Sequence, residues 1–162
     1  MRNYTTIEFC LVNLGNTGQF KYFEAEELAD VNIAYNTMES MFKADEIEIQ
    51  ALSHSQFVTD NIYPIFELLE ETDADLYEII HTLEATGCME QTKEVIKDYR
   101  YQFIRSDEKI DAFIFYIEEL GYLNNVPDNL INYIDYEKLM QDFEIEGLTI
   151  HRVSDEQFIF VY

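Results

Sequence analysis

Between residues 62 and 83 apolar side chains fall twice at the spacing of a helix face. Ile62, Ile65, Phe66 and Leu69 form one set and Leu76, Ile79, Ile80 and Leu83 the next, each at i, i+3, i+4, i+7. Pro64 suits the first turn of the earlier helix. Thr72 or Asp73 offers a cap for the later one. Upstream, residues 6–14 read TIEFCLVNL, a buried-strand run. Gly15 and Gly18 mark a turn over 13–18, and 20–24 returns as a strand. Val31, Ala34, Tyr35, Met38 and Phe42 predict a helix over 30–42. Ile47, Ile49 and Ala51, alternating with Glu46, Glu48 and Gln50, predict a half-exposed strand.

Downstream, Gly87 is a helix stop, followed by an expected short helix over 91–99 and a strand or extended link over 101–104. Ser106 or Asp107 opens a further helix whose inward face is Ile110, Phe113, Ile114 and Ile117, ending before Gly121. Pro127 fits the first turn of another helix. Asp135 caps a short one reaching Phe143, and strands over 148–153 and 157–161 close the chain. The pattern predicts an α+β chain of small subdomains, with sheets at both ends and a helical middle. The expected subdomains are 1–60 (α+β), 61–103 (helical) and 104–162 (α+β).

Charge changes the picture. The 162 residues carry 33 acids against 10 bases, a formal net charge of −23, yet 48% of residues are hydrophobic and 15% aromatic, ample for a core. Residues 44–92 hold no Lys or Arg and twelve carboxylates. A solvated tail has such charge but lacks apolar periodicity, so these carboxylates are expected on folded helices. The charge far exceeds the magnitude of about 2 to 8 that serves solubility in a small domain. It disfavours nucleic acid and anionic membranes as direct partners and favours a basic surface. Adaptation to high salt and plain solubility are the blander alternatives.

Catalytic chemistry finds no foothold. Gly-rich phosphate loops are absent, His54, His81 and His151 are scattered without metal-ligand spacing, and no G-x-S-x-G elbow occurs. Asp73, Asp75 and Glu84 imitate a calcium loop in part, but Glu78 stands where that loop needs Gly. No metal or cofactor is expected. Cys10 and Cys88 lack tight spacing and are expected as free thiols in a reducing cytoplasm. No apolar run reaches the roughly 18 residues of a membrane span.

Carboxylate spacing is more informative. Glu67 with Glu71, Glu90 with Glu94, and Asp107 with Asp111 stand at i, i+4, where like charges are mildly destabilising on a helix. Duplex DNA carries one charge per roughly 1.7 Å, so −23 corresponds to about 12 base pairs. Rigid carboxylates that occupy a DNA-binding groove would account for such an array.

In the C-terminal third, Tyr116-Ile117-Glu118-Glu119-Leu120-Gly121-Tyr122-Leu123, then Val126-Pro127, then Leu130-Ile131-Asn132-Tyr133-Ile134-Asp135-Tyr136-Glu137 resembles the motif region of the ArdA antirestriction family. The closing Phe158-Ile159-Phe160-Val161-Tyr162 and the early Val12-Asn13-Leu14-Gly15 are similar to it as well. The family's Arg-Asp-Leu element here reads Gln141-Asp142-Phe143, without its Arg. The resemblance implies an elongated three-part DNA mimic. It implies a homodimer formed through the C-terminal region, with Leu123, Val126, Pro127, Leu130, Tyr133 and Tyr136 as motif and contact residues. It further implies inhibition of type I restriction–modification enzymes at the DNA site of their specificity and methylation subunits, with no catalysis and no cofactor. The carboxylates expected to replace phosphates are Glu67, Glu70, Glu71, Asp75, Glu78, Asp107, Asp111, Glu118, Glu119, Asp128, Asp135, Glu137 and Asp142. The alternatives are a mimic aimed at another defence system, such as a CRISPR effector, and an acidic scaffold for a basic protein. An enzyme stands third.

Overall fold

The computed structural model describes residues 6–44 and 46–162 of the chain. The fold is α+β, with a three-stranded sheet toward each end of the sequence and helices between. Two compact units divide it, Met1–Leu83 and Glu84–Tyr162.

In the first unit, β1 (Ile7–Asn13) is the central strand, flanked antiparallel by β2 (Phe20–Ala25) and β3 (Ile47–Ala51). Asn13 organises the β1–β2 turn, its side chain accepting from the Gly15 N–H at 2.9 Å and donating to Gln19 at 2.9 Å. Helix α1 (Leu28–Phe42) buries Val31, Ala34 and Met38, and the same unit buries Ile7, Phe9 and Leu11 from β1. It starts two residues before the expected Asp30. Asp30 is instead its third residue, reaching back to accept the N–H groups of Glu26 and Glu27 in a capping box.

Helix α2 (Gln56–Asp60) has no counterpart in the sequence expectation. The Gln56 amide accepts from the Ala51 N–H at 3.0 Å and donates to the Ile49 carbonyl at 2.9 Å, so one side chain blunts the free edge of β3. Helix α3 (Ile62–Glu71) carries Pro64 in its first turn and buries Ile62, Ile65, Phe66 and Leu68, whereas the expected Leu69 is half-buried. Helix α4 (Leu76–Thr86), inside which the boundary between units falls, buries Leu76, Ile79, Ile80 and Leu83 as expected. Its cap is not Thr72 or Asp73. Thr72 Oγ1 ends α3 by donating to the Leu68 carbonyl. Asp75 and Glu78 cap α4 reciprocally, each carboxylate accepting the other's backbone N–H at 2.8 and 2.9 Å.

The second unit is built on β4 (Tyr101–Arg105), β5 (Thr149–Ser154) and β6 (Gln157–Val161), in the order β4-β6-β5. Both of its faces are covered. Ile159 and Val161 pack with Val95 of α5 (Met89–Lys97). Phe158 and Phe160 pack with α6 (Lys109–Glu119) and with the half-buried Tyr136, Leu139, Met140 and Phe143 of α8 (Tyr136–Ile145). The inward face of α6 is Ala112, Phe113, Tyr116 and Ile117, with the expected Ile110 and Ile114 only half-buried. Tyr116 moves inward because its ring stacks on Phe160 at 4.7 Å. Glu108, not Ser106 or Asp107, stands at the N-cap of α6. Gly121 follows that helix at φ 76°, the left-handed conformation expected of its stop. Pro127 occupies the N-cap of the short α7 (Asp128–Ile131), one place before the expected first turn. Asp135 caps α8 as expected, accepting from the Lys138 N–H at 3.1 Å. Among the described residues no helix is long and apolar enough to cross a membrane.

Candidate functional site

Helices whose apolar faces are buried hold their polar faces outward, and many of the acids occupy those faces, the rest lying on strands and in loops. Every acid among the described residues is exposed or half-exposed. Residues 1–83 contain 16 acids and 3 bases, and residues 84–162 contain 17 and 7, so neutralisation by internal pairing is far from complete in either unit. Arg100 pairs with Asp98 at 3.4 Å and Glu94 at 4.0 Å, and Lys109 with Glu144 at 2.6 Å. These pairs draw on acids outside the predicted set.

Of the thirteen predicted carboxylates, twelve are exposed and Glu78 is half-buried. They separate by what the fold asks of them. Asp75 and Glu78 cap α4, and Asp135 caps α8. Asp111, Asp128 and Glu137 lie in the first turns of α6, α7 and α8, where the helix dipole favours an anion. Folding alone explains those six. Glu70 and Glu71 stand in the last turn of α3, and Glu118 and Glu119 in the last turn of α6. That end carries the negative pole, and neither last turn contains a base. Each such placement costs about 0.3–1 kcal/mol at the surface, so these four acids oppose the stability of the helices that carry them. Glu119 is held by the Gln102 amide at 3.0 Å.

Glu67 and Glu71 share α3, and Glu90 and Glu94 share α5, so both pairs have the like-charge i, i+4 geometry. Asp107 and Asp111 do not, because Asp107 precedes α6 by two residues and its position is set by the loop. Asp142 sits exposed on α8. Glu90, at the start of α5, has its carboxyl held below the usual range by its own backbone N–H and by the Cys88 thiol, 3.4 Å away.

The motif residues divide as well. Leu123 and Tyr136 pack against the core of the second unit. Val126 is half-buried, and Pro127 and Leu130 are exposed. Tyr133 is 84% exposed, and Ile145, which the sequence reading did not single out, is 83% exposed. Tyr122 and Leu120 are exposed near them in sequence. Helices α7 and α8 bury no residue fully. Ile145 escaped notice because it lies between Glu144 and Glu146, where an apolar residue ends a helix without continuing its face.

Among the described residues no group of three or more His, Cys, Asp or Glu side chains is placed to hold a metal ion. His81 is buried on α4 with its ring edge-on to Tyr77 at 4.4 Å, which is a packing role. Cys10 is buried and Cys88 exposed, both as free thiols. Burial pushes the Cys10 thiol up, away from the reactive thiolate. No protein-family model matches the chain, and no curated protein matches it.

Proposed function

We propose that the chain is an acidic DNA mimic that acts in the cytoplasm, inhibiting type I restriction–modification enzymes by occupying the DNA-binding groove of their specificity and methylation subunits. The observation that carries this reading is the placement of Glu70, Glu71, Glu118 and Glu119 at the negative ends of α3 and α6, without a base in either last turn. Charge kept where it destabilises its own helix is charge retained for something outside the fold. Solubility would be served equally by acids at helix N-termini. The similarity of residues 116–137 to the ArdA motif supplies the target class. In this reading the protein catalyses nothing, needs no cofactor, does not touch nucleic acid itself, and works as a homodimer. The exposed Leu130, Tyr133 and Ile145 supply apolar area for a self-complementary contact.

The test is competition. Purified type I enzyme is mixed with its DNA and increasing amounts of the protein, and cleavage and DNA binding are followed at several salt concentrations. Inhibition overcome by added DNA and weakened as salt rises supports mimicry, because charge attraction across a groove is screened. Binding to the enzyme that leaves DNA occupancy unchanged would replace mimicry with an acidic scaffold. Failure against the type I enzyme, with success against another DNA-binding defence effector, would move the target and keep the mechanism.

A further inference from the structure

The two sheets differ in one respect that the acidic helices do not explain. In the second unit both faces are covered, and four consecutive residues of the central strand β6, Phe158 to Val161, are buried. In the first unit the residues of β1 facing α1 are buried, whereas the opposite face carries exposed rings. Strand alternation places Glu8, Cys10 and Val12 on that opposite face. Their antiparallel partners Glu24, Tyr22 and Phe20 on β2, and Gln50 and Glu48 on β3, lie beside them. Cys10 and Val12 are buried, but Phe20 is 48% and Tyr22 63% exposed, their rings edge-to-face at 5.6 Å. Lys21 falls on the α1 side by the same alternation, its ammonium 5.6 Å from the Phe23 ring centre.

This face therefore presents the exposed rings of Phe20 and Tyr22, bordered by Glu8, Glu24 and Glu48, with no base from its own strands. Glu8 and Glu24 stand directly opposite each other, a like-charge cross-strand pair that destabilises the sheet. A cation placed between them would turn that repulsion into attraction. We propose that this face docks a cationic protein segment, one presenting an apolar side chain to Phe20 and Tyr22 with Lys or Arg on either side. The chemistry selects this occupant. A second copy of the face would bring carboxylate against carboxylate with no base to separate them, and nucleic acid or an anionic membrane would meet the same repulsion. An Arg or Lys can also sit over the exposed Tyr22 ring while pairing with a neighbouring carboxylate. The proposal does not rest on the restriction reading, since it concerns short-range apolar contact on a different element.

The experiment uses the full-length, isotope-labelled protein and synthetic twelve-residue peptides with a central Leu or Trp flanked on each side by two Lys or Arg. Controls carry Ala at the centre or Glu in the flanks. Amide chemical shifts are followed at moderate and high salt. The expected result is shifts concentrated on β1, β2 and β3, and Leu-centred peptides binding roughly tenfold tighter than Ala-centred ones. Phe20→Ser/Tyr22→Ser abolishes that preference, and Glu24→Gln/Glu48→Gln weakens all basic peptides while leaving the preference for Leu. Both rings are exposed, so the spectrum away from the sheet should be retained, and the carboxamide variant gives a second arm if the serine variant folds poorly. Equal binding of Ala- and Leu-centred peptides spread over the acidic helices would overturn the proposal in favour of diffuse charge attraction. Absence of binding at millimolar peptide would overturn it too. So would a doubled protein mass that Phe20→Ser/Tyr22→Ser halves, which would assign the face to a second copy.

Discussion

Neutralising the helix-end carboxylates should make the protein more stable and less inhibitory at once. The perturbation is Glu70→Gln, Glu71→Gln, Glu118→Gln and Glu119→Gln, singly and together. Gln is close in shape and helix propensity to Glu, and its amide oxygen can still accept from Gln102, which now holds Glu119 at 3.0 Å. Each change removes an unfavourable interaction with a helix C-terminus worth about 0.3–1 kcal/mol, with exposure favouring the low end. Glu71→Gln also relieves repulsion with Glu67 of about 0.2–0.5 kcal/mol. The quadruple variant should therefore gain roughly 1–2 kcal/mol, raising Tm by a few degrees for a chain of this size. Against a basic groove, each lost exposed charge costs about 1 kcal/mol or less. Single changes should weaken inhibition by at most about fivefold, and the quadruple by roughly 10- to 100-fold at low salt. The assay is protection of DNA from a type I restriction complex, run beside thermal unfolding. A stabilised quadruple variant with undiminished inhibition would refute the reasoning, because the misplaced charge would then serve nothing outside the fold. Complete loss from one conservative change in an intact fold would refute it differently, by revealing a discrete site.

Other consequences can be checked separately. Asp75→Ala should cost about 1 kcal/mol of stability through loss of the α4 cap, whereas Asp75→Asn should keep most of it, so chemical denaturation separates capping from charge at this residue. Burial, then the neighbouring Tyr162 and Tyr122, pushes the Tyr116 phenol up to about 12 from 10.0. Between those values the unfolded chain loses the proton first, so stability should fall as pH rises from about 10 and level off above about 12. The loss is at most about 3 kcal/mol, less where water screens the phenolate. Tyr116→Phe should flatten that limb in denaturation curves taken across the range. Tyr133→Ser together with Ile145→Ser should leave thermal stability of the monomer unit nearly unchanged and shift the solution mass from dimer to monomer in sedimentation. A variant mass equal to that of the parent would remove these residues from any dimer contact.

Much of the fold was legible because periodicity and burial agree where a helix has one partner layer. On α4, Leu76, Ile79, Ile80 and Leu83 were expected inward and are buried there. The α3 stripe held except that Leu68 is buried where Leu69 was expected, since on so short a helix either can complete the face. On α6, Ile114 is more apolar than Tyr116, but stacking on Phe160 brings the Tyr116 ring inside, and a partner more than forty residues away leaves no local trace. Helix α2 has five residues, too few for a period, and besides burying Val58 and Thr59 it brings the Gln56 amide to the β3 edge. The carboxylates could be found by composition but not sorted by it. Asp135 is legible as a cap from the sequence, but Asp75 and Glu118 are alike in a charge count, and only helix boundaries separate the first as a cap from the second as a charge at the wrong end.

The same limit applies to the exposed rings of the first sheet. Cys10 and Val12 alternate with Phe9 and Leu11 in a run that is apolar on both sides, the pattern of a strand covered by two layers. Yet their neighbours across the ladder on β2, Phe20 and Tyr22, remain about half exposed or more. Periodicity on a central strand does not report the exposure of the strand beside it. A chain that already bears the self-repulsion of −23 charges gains stability from every apolar side chain it can remove from water. Leaving two aromatic rings exposed, beside a Glu8–Glu24 pair that repels, runs against that need twice on one surface. A cationic apolar partner would relieve both costs together, whereas an anionic or self-complementary one would relieve neither.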